Sequence, residues 1–296
     1  MNSEDTAQRP IAHAARVYQT YPGSSYSLPT DNVELQRLIL QHNSLKILFQ
    51  GRLVFPPLEL RVSDQVLDVG TGPGLWILDL ARSAGSQTPM IAIDIEARLF
   101  PQSPPPNIEF RVASVLNLPE EWTDTFSLVN QRLLMLALRT VEWPQALREL
   151  YRVTRPGGWV QLGEGVAYFE GEYPDKPCME KLVACSRRLA EARGLFIDCA
   201  KAIPKMLEEA GFVDVHSEMM EQPVGKWAGE IGEILRDNQL GVFKGLKTPV
   251  LLSGGFGIVS SEEDYDALLE GVVREWDEIP GTKTPFIVHC ARKPMD

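Results

Sequence analysis

Cysteine and histidine are scarce here, with four of each in 296 residues. Cys178, Cys185, Cys199 and Cys290 form no C-x-x-C pair, and none stands at zinc-ligand spacing from a histidine. A disulfide framework and a structural zinc site are therefore not expected. Free thiols suit a reducing compartment, and the polar start MNSEDTAQRP carries no signal peptide, so a cytoplasmic location is expected. No stretch approaches the ~20 apolar residues of a membrane span. Basic clusters are missing as well. The nearest is the pair Arg187-Arg188, and 29 Lys and Arg against 40 Asp and Glu leave a net charge of −11. Such a surface repels phosphate backbones, so no nucleic-acid partner is expected.

What is present is an ordinary globular composition, 44% hydrophobic and 23% charged. The length suits one α/β domain of roughly 200 residues plus an elaboration. Residues 1–55 read as an N-terminal segment, irregular to about 30 and then helical. Asp31 with Glu34 makes a capping-box pattern, and Leu35, Leu38, Ile39, His42, Leu45 and Phe49 share one face. From 56 to 296 the texture is that of a parallel α/β sheet, with strands expected near 65–69, 89–94, 108–112, 126–130 and 158–163 and helices near 74–84 and 143–153. The stretch Arg155-Pro156-Gly157-Gly158 reads as a sharp turn into the fifth strand. A helical insertion is expected over about 170–275, interrupted by a strand from Phe212 to Met219. Its last helix would be capped by Ser260 and Glu263, and Pro285 to Cys290 would close the sheet as an antiparallel strand.

The strongest local signal is VLDVGTGPG (66–74), a buried strand running through Gly70, Gly72 and Gly74 into a helix. A phosphate-binding P-loop would need G-K-[ST] after its glycines, and none follows. A dinucleotide fingerprint needs a small residue at 75, where Leu75 stands. The remaining nucleoside ligand is S-adenosylmethionine (SAM), which has no phosphate. Asp68, two residues before the first glycine, suits its ammonium group. Asp94, closing the apolar run MIAIDI (90–95), can accept from both ribose hydroxyls.

These motifs resemble those of class I SAM-dependent methyltransferases, continuing through FRVASVLNLP (110–119), FSLVNQRLLM (126–135) and LRELYRVTRPGGWVQLGE (147–164). The flanks YSLPTDNVELQRLILQH (26–42) and AGFVDVHSEMMEQPVGKW (210–227) resemble the LaeA-like fungal branch, many members of which serve secondary metabolism. The resemblance implies a Rossmann-like seven-stranded sheet of order 3-2-1-4-5-7-6, with helices on both faces and an added helical lid. It implies SAM as cofactor and S-adenosylhomocysteine as product. Asp68, Gly70, Thr71, Gly72 and Gly74 would line the methionine part, Asp94 and Ile95 the ribose, and Ser114 and Val115 the adenine. Asn130, Gln131 and Arg132 would approach the methionine end, and Tyr26 would close over the cofactor. Ser114 stands where the family usually has an aspartate, a weaker acceptor for the adenine amino group.

Methyl transfer needs alignment first and a base only for a poor nucleophile. LLMLALRTVEW (133–143) lacks the histidine that plant-type O-methyltransferases place there. The candidates left are Glu164 at the fifth strand end, as base or substrate contact, and His42, as base or core histidine. Trp227 reads as a pocket wall or a core aromatic. No acid cluster remains for a metal. A monomer or homodimer methylating O, N or S of a small molecule is expected. The alternatives are a LaeA-like regulator, or a SAM-binding enzyme running a rearrangement without methyl transfer.

Overall fold

The structure is a computed structural model that describes residues 9–84, 87–166 and 175–295. Seven strands form one sheet: β1 (Val66–Val69), β2 (Met90–Asp94), β3 (Ile108–Val112), β4 (Phe126–Arg132), β5 (Thr154–Gly165), β6 (Val213–Pro223) and β7 (Lys283–Arg292). Their order is 3-2-1-4-5-7-6. The first five run parallel, and β7 enters antiparallel between β5 and β6. The buried strand β1 is apolar at three of its four positions, as expected where helices cover both faces. The turn expected at 155–158 is absorbed into β5 as an irregularity in its pairing with β4.

The helices are α1 (Asn32–Leu48), α2 (Leu75–Ala84), α3 (Trp143–Val153), α4 (Pro177–Arg193), α5 (Cys199–Glu209), α6 (Gly229–Leu252) and α7 (Glu262–Glu278). One face of the sheet packs Val69, Val129 and Leu162 against Leu147 and Leu150 of α3 and Ile203 and Leu207 of α5. The other packs Val66, Leu128 and Val288 against Ile77 and Leu80 of α2 and Leu45 of α1. Helices α4, α6 and α7 build a third core of their own around Leu182, Leu246, Tyr265 and Trp276.

Four local expectations change. The insertion over about 170–275 is not one lid: α5 and β6 belong to the sheet body, and only α4, α6 and α7 form the added layer. Its expected beginning at 170 falls in 167–174, outside the described residues. The fully buried positions of α1 are Glu34, Arg37, His42, Ser44 and Leu45, a more polar stripe than the apolar period implies, because Arg37 lies against Gly241 of α6. Asp31 caps that helix through Glu34 N, but the Glu34 carboxylate turns to Arg37 instead of completing the box. Helix α7 is capped by Ser261 through Asp264 N, one residue later than expected.

Residues 9–31 run as a strap over the carboxyl ends of the strands. Ile11 N donates to Leu251 O, the Tyr18 hydroxyl to Gly245 O, Ser27 N to Leu136 O and the Ser25 hydroxyl to Ala137 O. The strap therefore ties α6 to the loop that follows β4.

Candidate active site

A cavity of about 520 Å³ opens at the carboxyl ends of the parallel strands, where open α/β sheets bind ligands. Its floor is the glycine loop. The backbone is left-handed at Gly70, Gly72 and Gly74, with φ of 65°, 54° and 76°. A Cβ at Gly70 would stand 2.7 Å from Leu134, and one at Gly74 2.6 Å from the Phe110 ring, so close packing reserves these positions for glycine. A Cβ at Gly72 would meet only Leu38, at 3.8 Å, and would otherwise project into the cavity.

Asp94 lines the cavity at the end of β2. Its carboxylate accepts from Gly72 N at 2.8 Å and Glu96 N at 3.1 Å. Burial raises its pKa against those bonds. Ile95, Leu99, Ser114, Val115 and Leu116 flank it as a mostly apolar slot. The Ser114 hydroxyl accepts from Leu116 N at 3.2 Å and so keeps acceptor capacity to spare. Thr71 and Tyr26 also line the cavity, and burial pushes the Tyr26 phenol above its ordinary pKa.

Several expected contacts lie elsewhere. Asp68 sits beneath the loop, 2% exposed, and accepts from the Thr71 hydroxyl at 2.5 Å and Asn130 Nδ2 at 2.6 Å. Burial pushes it up to about 6 against these bonds. Asn130 in turn accepts from Gln161 Nε2 at 2.8 Å, so Asn130 supports Asp68 and is not among the cavity's lining residues. Gly74 is turned onto Phe110. Gln131 is fully buried on the α3 and α5 side of the sheet, because strand alternation turns it away from its neighbours Asn130 and Arg132. Trp227 does not wall the cavity; its indole N–H donates to Val224 O at 2.9 Å at the β6–α6 junction.

His42 lines the cavity, yet both ring nitrogens are engaged. Nε2 donates to Asp79 at 2.9 Å and Nδ1 accepts from Arg132 Nη2 at 2.9 Å. Burial, then the charge of Arg132, brings its pKa down to about 4, so the ring is neutral. A ring with no free lone pair is not poised to act as a base.

Glu164 also faces the cavity, 1% exposed. Oε1 accepts from Leu134 N at 2.7 Å and Oε2 from Met135 N at 3.3 Å. Burial pushes it up to about 8 in spite of those bonds. The wall around it comes from parts of the chain that no single motif joins: Leu28 and Pro29 of the strap, Leu136 after β4, Leu189 of α4, Phe243 and Leu246 of α6, and Gln222, Thr284 and Phe286 of β6 and β7. No local signal in the sequence singles out Gln222, Gln239 or Thr284, since they reach the cavity only through the pairing of β6 with β7 and the docking of α6.

The SAM implied by the sequence resemblance fits these residues. An acid at the ribose position, an apolar slot with spare hydroxyl acceptor capacity for adenine, and an open Gly72 are all in place. Among the described residues no group of three or more His, Cys, Asp or Glu could hold a metal, and no helix is long and apolar enough to cross a membrane.

Comparison with known proteins gives the same direction. A family described as a methyltransferase domain matches residues 66–158. The N-methyltransferase gliN of Aspergillus fumigatus is 33% identical over 271 residues, 87% of this chain and 93% of that one. The N-methyltransferase sirN of Leptosphaeria maculans is 30% identical over 92% of this chain and 96% of that one. The secondary metabolism regulator LAE1 of Gibberella fujikuroi is 25% identical over 88% of this chain and 84% of that one. Among solved structures, phosphoethanolamine N-methyltransferase 2 of Haemonchus contortus in complex with S-adenosyl-L-methionine superposes with a TM-score of 0.51 at 16% identity. That match covers 88% of this chain but spans only about half, 52%, of the other.

Proposed function

The chain belongs to the class I SAM-dependent methyltransferases, in the LaeA-like branch, and from that premise we propose that it methylates a nitrogen of an uncharged, largely apolar small molecule in fungal secondary metabolism. The N-methyltransferase relatives support nitrogen as the acceptor. The observation that carries the reading is Glu164, a carboxyl held on two backbone N–H groups inside an apolar wall. Of the cationic side chains that line the cavity, Arg37 is paired with Glu34 at 2.5 Å and Arg139 with Glu142 at 3.6 Å. The one lining cation without an acidic partner among the described residues, Arg132, hydrogen-bonds His42 on the glycine-loop side, so the acceptor wall offers no unpaired charge of its own. We place the protein in the cytoplasm as a monomer or homodimer without a nucleic-acid partner.

When bound, SAM supplies a methyl carbon already activated by its sulfonium. Asp94 orients the ribose, and the strap and α6 exclude water from the reacting atoms. Glu164 takes up the proton shed by the substrate nitrogen, at Oε2, the oxygen with the longer backbone bond. This role has a pH signature. Activity should rise about tenfold per pH unit below the Glu164 pKa and level off above about 8. Glu164→Gln should lower kcat by roughly 100-fold and flatten that limb; an unchanged profile removes Glu164 from the chemistry. The folded protein holds this proton more tightly than the unfolded chain. Stability should therefore fall as pH rises from the ordinary carboxylate range through about 8.

The acceptor itself is tested with methyl-labelled SAM and a small-molecule extract of a fungal culture. Label is expected in a small molecule as an N-methyl group. Label entering protein alone would favour the regulatory reading, and a rearranged product without SAM consumption would overturn methyl transfer.

A further inference from the structure

SAM carries a carboxylate on its methionine portion, and the glycine loop has little to offer it. Thr71 N, Gly72 N and Gly74 N are already given to Ile93 O, Asp94 and Thr71 O. Among the described cavity residues, Arg37 and Arg139 are paired with acids. Arg132 is different. It lines the cavity beside Val69 and Gly70, is half-buried, and makes its one side-chain hydrogen bond among the described residues to His42 Nδ1, at 2.9 Å. A guanidinium has five N–H donors in a planar fork, so most of those on Arg132 remain free for an anion in the cavity.

We propose that Arg132 is the carboxylate clamp of the cofactor site and that His42, Asp79 and Lys46 form a relay that aims it. This rests on the reading of the cavity as a SAM site. The relay has a fixed sense. Lys46 Nζ donates to Asp79 Oδ2 at 2.5 Å, and Arg82 Nη1 donates to Oδ1 at 2.5 Å. Asp79 Oδ2 also takes the Nε2 proton of His42 at 2.9 Å, which fixes the imidazole as the Nε2–H tautomer. Its Nδ1 lone pair then accepts from Arg132 and sets the plane of the guanidinium. Asp79 is held at about 2, since the bonds from Lys46 and His42 outweigh its burial, so the relay keeps its anion. Because α1 supplies His42 and Lys46 while α2 supplies Asp79, the clamp also reports that α1 is seated. His42 is thus a positioning residue acting through Arg132.

Calorimetry with two ligands separates this role from a structural one. S-adenosylhomocysteine carries the carboxylate, whereas 5′-methylthioadenosine keeps the thioether and nucleoside without the amino acid. Arg132→Met is expected to weaken S-adenosylhomocysteine by roughly 100-fold and to leave 5′-methylthioadenosine within about twofold. His42→Phe should lose roughly tenfold on the first ligand alone, and His42→Gln, whose amide can both accept from Arg132 and donate to Asp79, should recover most of it. The His42 pair carries the comparison even where Arg132→Met does not fold. Equal loss of both ligands, or loss of neither, overturns the clamp. Failure of the unaltered protein to bind either ligand overturns the SAM site itself.

Discussion

Asp94→Ala is expected to weaken S-adenosylhomocysteine binding by at least roughly 100-fold. Each hydrogen bond from a ribose hydroxyl to a charged carboxylate is worth ~1.5–3 kcal/mol, and two are lost together. The same carboxylate also holds Gly72 N and Glu96 N, so part of the loss could come from a loosened loop. Asp94→Asn separates the two causes. It keeps a carbonyl for a loop N–H but removes the charge, so it should fall between the wild type and Asp94→Ala. Calorimetry gives the affinities, and thermal unfolding without ligand measures how far the loop itself is loosened in each variant. An unchanged affinity in Asp94→Ala would remove the ribose from this end of β2.

Gly72→Val should abolish measurable S-adenosylhomocysteine binding while the protein still folds. At φ 54° a β-branched residue is strained by ~1–2 kcal/mol, which corresponds to a Tm lower by about 2–8 °C. The new Cβ would have no backbone atom within 4 Å, and its only neighbour at that range is Leu38. The methyl groups therefore enter the cavity where the ligand would lie. Gly74→Val is the contrasting case, since its Cβ would strike the Phe110 ring, 2.6 Å away, and should cost packing before it costs binding. Retained affinity in a folded Gly72→Val protein would place the ligand away from the loop.

The sheet was legible because its signals are short-range. Each strand of the parallel half is a brief apolar run, and glycine and proline mark most of the breaks, so the strands stand out locally, while their order is what the resemblance to the class I methyltransferases implies. Asp94 and Glu164 stand out as acids at strand ends and Ser114 through the resemblance, and all three line the cavity. Side-chain direction was harder. Three consecutive residues of one strand, Asn130, Gln131 and Arg132, cannot share a face, and alternation alone separates Gln131 from the others. Asp68 and Asn130 lie one layer below the cavity, which spacing along the chain does not reveal. His42 changed meaning once its partners were known, because Asp79 and Arg132 come from separate elements. Gln222, Thr284 and Phe286 had no local mark at all; tertiary pairing alone brings them to the site.

The cavity draws its two halves from different stretches of the chain. On the proposed reading the loops after β1, β2 and β3 would hold the donor, while the strap, α4, α6 and the β6–β7 pair would hold the acceptor. Substitutions that share no partner tend to act additively. A library confined to residues such as Leu189, Gln222, Phe243 and Leu246 could therefore be screened for altered acceptors at nearly constant SAM affinity. On that reading the protein is a donor cartridge with an exchangeable socket.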